Sequence, residues 1–260
     1  MSDAFFVAEG RRFLPTELTR GPWEPGAQHA GPPAALIGRE LERCEPAPHA
    51  RIGRVTLEIL NPVPLGPLEV SARVARPGRS VELLEAELSG PDGPLVRATA
   101  WRLRTRPVEL RPEPPADPPP PGPHRGAAAP FFPTGEEVGY HTAMEYRFVR
   151  GAFLEIGPAA VWMRMSHPLL AGEEPSPLVR VLIAADSGNG VSAVLDYRRY
   201  LFINTDLTVH LLRPPRGEWV CLDAVTYPHR DGVGLADTAL WDERGRIGRA
   251  AQTLLVRERG

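Results

Sequence analysis

The sequence contains no lysine: all 30 of its basic residues are arginine. That removes the lysine of a phosphate-binding loop, the Schiff base of pyridoxal chemistry and any lysine nucleophile. Codon bias explains the absence best, since alanine, glycine, proline and arginine are all abundant. Cysteine is nearly missing too. Cys44 and Cys221 are too few and too far apart for a zinc cluster or a disulfide framework, and read as ordinary buried core thiols in a reducing cytoplasm. No run approaches the ~18–20 consecutive apolar residues of a membrane helix, and the first residues lack the charged-then-apolar order of a secretory leader. A formal net charge of −2 supplies no field for nucleic acid or an acidic membrane. A protein in solution, without nucleic-acid or membrane partners, is expected.

Several catalytic signatures are absent as well. The histidines form neither H-E-x-x-H nor H-x-x-H, so no metal is expected. Gly232 and Gly234 do not open a dinucleotide fingerprint, because a strand follows where that motif needs a helix. The nucleophile elbow G-x-S-x-G is missing. Ser187, in Ala185-Asp186-Ser187-Gly188-Asn189, follows a helix rather than a strand, which argues against a serine nucleophile.

What is present is an ordinary globular composition, 42% hydrophobic and 24% charged, punctuated by 31 prolines that favour short elements. Residues 106–133, with a proline run at 118–121, read as an extended linker unable to enter a sheet interior. They divide the chain into units at 1–105 and 134–260. Sliding the chain along itself lays residues 55–105 over 207–257 without a gap. Thr56, Leu60 and Pro62 fall on Thr208, Leu212 and Pro214, and Gly93, Arg97 and Ala98 on Gly245, Arg249 and Ala250.

Each unit has an apolar helix followed by strands at hairpin spacing. Ser176 is the expected N-cap of one helix, with Pro177 in its first position and only Arg180 polar among residues 178–185. A helix apolar nearly all round must be enclosed by protein. The other follows Gly31, with Pro32 and Pro33 in its first turn. Alternation over 206–212, 218–227, 234–241 and 249–257 marks strands, with Asp242-Glu243-Arg244-Gly245 as a hairpin turn. A buried helix wrapped by a curved antiparallel sheet, twice over, is an α+β double hotdog.

Gln28-His29-Ala30-Gly31-Pro32-Pro33, Asp186 after the second helix, Asn204-Thr205-Asp206 and Ala251-Gln252 occur in an order and spacing that resembles the acyl-CoA thioesterase II-like family of double-hotdog hydrolases. The resemblance implies hydrolysis of acyl-CoA without a cofactor, coenzyme A being part of the substrate. It also implies a water held by Asp186, Gln252 and a hydroxyl residue. The hydroxyl position falls on Asn204, with Thr205 beside it; an asparagine can hydrogen-bond a water but cannot relay its proton, and both residues stay candidates.

The residues themselves support this chemistry. Thioester hydrolysis needs a general base and donors for an oxyanion. Asp186 ends an apolar helix, where burial and the helix dipole both work against its charge, though it also opens a polar loop. The images of Gln252, Asn204 and Asp206 in the first unit are Ala100, Ile52 and Arg54, so one site per chain is expected. Gly31 would let a ligand approach the helix N-terminus, with His29 assisting. Arg213, and with it Arg216, is the candidate for coenzyme A phosphates. Trp23, Trp162, Trp219 and Trp241 read as core or interface residues. Two other readings stand: a hydratase pairing Asp186 with a histidine, His210 being nearest along the chain, and a non-catalytic acyl-thioester binder. Association into a homodimer or larger assembly fits sheets with open edges.

Overall fold

The computed structural model describes residues 3–24, 26–112 and 117–259, so residues 113–116 of the expected linker lie outside the described residues. The first half contains β1 (Phe6–Glu9), β2 (Arg12–Pro15), α1 (Gly31–Arg43), β3 (Ala50–Ile59), β4 (Leu68–Arg76), β5 (Val81–Gly90) and β6 (Gly93–Arg104). The second contains α2 (Tyr140–Ala143), β7 (Met144–Arg150), β8 (Ala159–Met165), α3 (Pro177–Ala185), α4 (Gly188–Val191), β9 (Tyr200–Asn204) and β10 (Asp206–Leu211). It ends with β11 (Val220–Pro228), β12 (Val233–Asp242) and β13 (Gly245–Glu258). One antiparallel sheet runs in the order β1-β2-β4-β5-β6-β3-β10-β13-β12-β11-β8-β7, with β9 added along β13.

That order reads the same from either end, and the register makes the symmetry exact at residue level. β3 and β10 pair across the middle, with Thr56 opposite Thr208, Val55 opposite Val209 and Leu57 opposite Leu207. Thr56 and Thr208 are also each other's images in the sequence repeat, so a pseudo-twofold axis passes between them. Their hydroxyls lie 3.2 Å apart. Leu84 pairs with Ala100 in the first half, and their images Ala236 and Gln252 pair in the second. The ungapped repeat is therefore a repeat of strand pairing.

Both helices begin as their sequences dictate. Ser176 Oγ accepts from the Val179 N–H at 3.2 Å, capping α3, and α1 carries Pro32 and Pro33 in its first turn. Apart from Pro177 and Arg180, every residue of α3 is buried. α1 and α3 pack on each other over the sheet, and their crossing is set by two glycines. A Cβ on Gly31 would run into the Ile183 carbonyl oxygen, and one on Gly38 into the Leu182 side chain. A single apolar core extends through both halves, from Leu36 and Ile37 to Leu182 and Ile183.

The proline-rich segment changes character along its length. Residues 106–112 are exposed, whereas Pro121 accepts from Trp162 Nε1 at 2.7 Å, and Ala127 exchanges two backbone hydrogen bonds with Phe148 at 3.0 and 2.8 Å. It thus borders β7 at the sheet edge, where missing N–H groups do least harm. Trp162 and Trp241 are buried with Cys221 in a small separate cluster, joined by Trp219. Cys44 is only half-buried, a departure from the expected core thiol. Among the described residues no helix is long and apolar enough to cross a membrane.

Candidate active site

Asp186 is the C-cap of α3 and is 6% exposed. The buried face of β13 brings Gln252 beneath it: Gln252 Nε2 donates to the Asp186 carbonyl oxygen at 3.0 Å and to Oδ1 at 3.3 Å. Gln252 Oε1 in turn accepts from the Asn189 N–H at 3.1 Å, fixing the orientation of the amide. Gly188 keeps this contact tight, since a Cβ there would lie 2.6 Å from Thr238 Oγ1 and 3.1 Å from Gln252 Oε1.

The third member comes from a strand break. β3 runs through its image of this point with a bulge between Ile52 and Arg54. The second half divides instead into β9 and β10 around Thr205. The break turns Asn204 toward the helix, and its Nδ2 donates to Asp186 Oδ1 at 2.9 Å. Thr205 is exposed and its Oγ1 lies 3.4 Å from the Thr253 carbonyl, so of these two Asn204 is the one in contact with Asp186. Two amide donors converge on one carboxylate oxygen, leaving Oδ2 to face something else.

Oδ2 faces His29 Nδ1, at 3.2 Å, across the interface between the halves. Nδ1 also accepts from the Gly31 N–H at 3.0 Å, which places the ring proton of a neutral His29 on Nε2. The ring is stacked on Tyr140, centroids 3.7 Å apart. Burial pushes the His29 pKa below its ordinary 6.5, and the neighbouring Asp186 charge only partly opposes this. Tyr140 donates to the Ile183 carbonyl at 2.7 Å and lies 3.0 Å from Ser187 Oγ; its phenol is pushed up, mainly by burial. Ser187 is thus a partner of Tyr140 within a helical junction.

Gly31 allows α1 to approach the backbone of α3, and its N–H is engaged by His29. With Pro32 and Pro33 lacking donors, the helix end has little to offer a carbonyl. Arg213 is not brought here. It lies beyond the far end of β10 and grips the fully buried Asp242 with contacts of 2.5 and 2.6 Å. Arg216 gives its backbone N–H to the same carboxylate. His210 is exposed on β10 opposite Arg54 and Arg249. The histidine that meets Asp186 is His29, from the other half. Trp23 is 40% exposed rather than core, stacked on Phe132 at 5.2 Å.

Trp23 stands where two cavities meet. One, of about 320 Å³, is lined by Gln28, His29, Leu60, Asp186, Asn204 and Thr205 among others. The other, of about 30 Å³, is closed by Phe131, Phe132, Tyr146 and Phe153. His29 and Asn189 line both. Gln28 is 8% exposed; its Nε2 donates to the Pro64 carbonyl at 2.8 Å and its Oε1 has no partner among the described residues. Trp23, Asn189 and Tyr146 were not singled out for the site from sequence, because nothing local distinguishes them from core residues.

The architecture, a sheet curved around buried helices with a polar cluster at the helix end, is that of the hotdog fold. A thioesterase II assignment from Thermobifida fusca YX superposes with a TM-score of 0.75 at 19% identity, over 98% of this chain and 95% of that one. A conserved protein of unknown function with a hot dog fold from Alicyclobacillus acidocaldarius gives 0.74 at 16% identity, over 99% and 97%. An acyl-CoA thioesterase II from Mycobacterium marinum gives 0.66 at 14%, over 97% and 94%. Comparison with curated proteins gives no match. Residues 19–103 match the acyl-CoA thioesterase N-terminal domain and residues 107–256 the acyl-CoA thioesterase C-terminal domain, so the chain belongs to the acyl-CoA thioesterase family and is a thioesterase.

Proposed function

We propose that this protein is a double hotdog, with units at 1–105 and 134–260 joined by 106–133, that hydrolyses acyl-CoA to the free acid and coenzyme A at one site per chain. The observation that carries the reading is the buried Asp186 carboxylate, held on Oδ1 by two amides and turned toward the larger cavity. In this reading Asp186 Oδ2 takes a proton from a water as its oxygen bonds to the thioester carbon. The carbon–sulfur bond then breaks, and the proton passes to the departing thiolate, leaving acid and thiol with no covalent intermediate.

His29 serves twice. Its Nδ1, held by the Gly31 N–H, keeps the ring against Asp186 Oδ2 at 3.2 Å. Its Nε2–H, the tautomer set by the Gly31 N–H on Nδ1, is a donor for the developing oxyanion. Gln28 lines the larger cavity, and its Oε1, without a partner among the described residues, suits an amide N–H of the pantetheine arm.

Thiol release from acyl-CoAs of increasing length tests the reading. Asp186→Asn is expected to lower kcat by at least about 100-fold, the usual scale of a general base, and Gln252→Ala to lower it less. Turnover unchanged in both variants would overturn the assignment. The Asp186–His29 contact also fits a hydratase. Addition of water to an enoyl-CoA, with no thiol released, would favour that chemistry instead.

A further inference from the structure

The smaller cavity holds a polar group that hydrolysis as described leaves unused. Alternation along β7 points Tyr146 inward between Met144 and Phe148, and the residue is 9% exposed. Phe153 meets its ring edge-on at 5.0 Å, and Phe131 lies tilted at 6.2 Å. Its hydroxyl has no hydrogen-bond partner among the described residues. The contrast with Tyr140 in the same cavity is informative, because that phenol is engaged by Ile183 and Ser187. Burial and the nearby Tyr140 both hold the Tyr146 phenol in its protonated form, so it remains a donor.

A buried hydroxyl without a partner is costly, and it makes a site sensitive to what enters. The cavity, about 30 Å³, has room for a water-sized group or a couple of chain atoms. A plain alkyl chain entering it would expel any water and leave the phenol stranded among phenylalanine rings. An acyl group carrying a hydroxyl or keto oxygen near the thioester would give the phenol its acceptor. Because His29 and Asn189 line both cavities, a thioester beside Asp186 can extend its acyl end into this one.

We propose that Tyr146 is a specificity-determining residue that selects short acyl groups bearing a hydroxyl or keto oxygen, over unsubstituted chains of the same length. This rests on the hydrolase reading above and narrows its substrate class.

The experiment measures kcat/KM for butyryl-CoA, 3-hydroxybutyryl-CoA, acetoacetyl-CoA and octanoyl-CoA, in wild type and Tyr146→Phe. The wild type is expected to favour an oxygenated four-carbon substrate over butyryl-CoA by about 10- to 100-fold. Tyr146→Phe keeps the ring and should erase that preference, leaving butyryl-CoA turnover within about threefold of wild type. A merely structural role would lower all four substrates together and would overturn the proposal. So would a preference for octanoyl-CoA, equal rates on plain and oxygenated chains, or a preference that survives the substitution. Thiol release from none of the four overturns the hydrolase reading itself, an outcome distinct from release without preference.

Discussion

Asp186, Asn204 and Gln252 form a cluster in which each amide has a reason to point as it does. Gln252 cannot flip, because its Oε1 accepts from the Asn189 N–H while its Nε2 serves Asp186. Asn204 is oriented by Asp186 Oδ1 and, more weakly, by the Asp206 carbonyl at 3.4 Å. The group most exposed to pH is His29. Its pKa in the folded protein lies below the ordinary 6.5, so below that pH the unfolded chain binds a proton that the folded protein refuses. Stability therefore falls as pH drops through 6.5 toward the folded value. His141 is lowered in the same direction, also by burial, and adds to the slope. Urea unfolding between about pH 7.5 and 5.5 should show a shallower loss in His29→Gln than in wild type. An unchanged slope would mean that His29 is not buried neutral.

At the scale of elements, the site is made where the two halves differ: a bulged strand in one, a broken strand in the other. β3 continues past Gly53, whereas β9 stops at Asn204 and β10 restarts at Asp206, whose Oδ1 accepts from the Thr253 N–H at 2.8 Å. Helix packing is a second element-level feature. Gly31→Ala sets a methyl against the Ile183 carbonyl, which cannot move without shifting α3, so a loss of about 1–3 kcal/mol is expected. Gly38→Ala meets only the mobile end of Leu182 and should cost clearly less. Chemical melts of the two variants decide this, and equal losses would contradict it. The loop after β10 makes a third case. Removing Arg213 leaves the buried Asp242 carboxylate with backbone N–H donors from Arg216 and Arg244 but no countercharge, so Arg213→Ala should cost roughly 3 kcal/mol. KM for acyl-CoA should stay at the wild-type value. A raised KM with unchanged stability would restore the phosphate-binding role.

The whole molecule is a closed pair of similar halves, each completing the other. Val55 and Leu57 meet Leu207 and Val209 across the central strands, and α1 packs on α3. The site is divided in the same way: His29 and Gln28 come from one half, Asp186, Asn204 and Gln252 from the other. A chain divided within the exposed stretch 106–112 and expressed as two fragments should reassemble. Co-purification and thiol release of the pair are expected, with neither fragment alone soluble and active. An active second fragment alone would show that His29 and Gln28 are dispensable.

Local order was largely legible from the chain. Ser176 and Pro177 start one helix, Pro32 and Pro33 the other, and strand alternation with Gly245 in its hairpin follows from backbone chemistry a few residues long. The repeat was legible too, because equivalent strands keep equivalent patterns, and it set Ala100 against Gln252 and Ile52 against Asn204; Asp186 and Gln252 themselves are marked by the resemblance to the thioesterase family. The partners of those residues were not. Asp186 meets His29 across 157 positions of sequence, Arg213 turns to Asp242, and Trp23 and Tyr146 become cavity walls. No local pattern encodes such meetings, since they depend on how two helices cross and where one strand breaks. Periodicity and caps are properties of neighbours along the chain, so the sequence by itself determined the elements and, through its family motif, pointed to the carboxylate. Which groups face that carboxylate, and which hydroxyl in the adjoining cavity has no partner among the described residues, was decided only when the halves packed on each other.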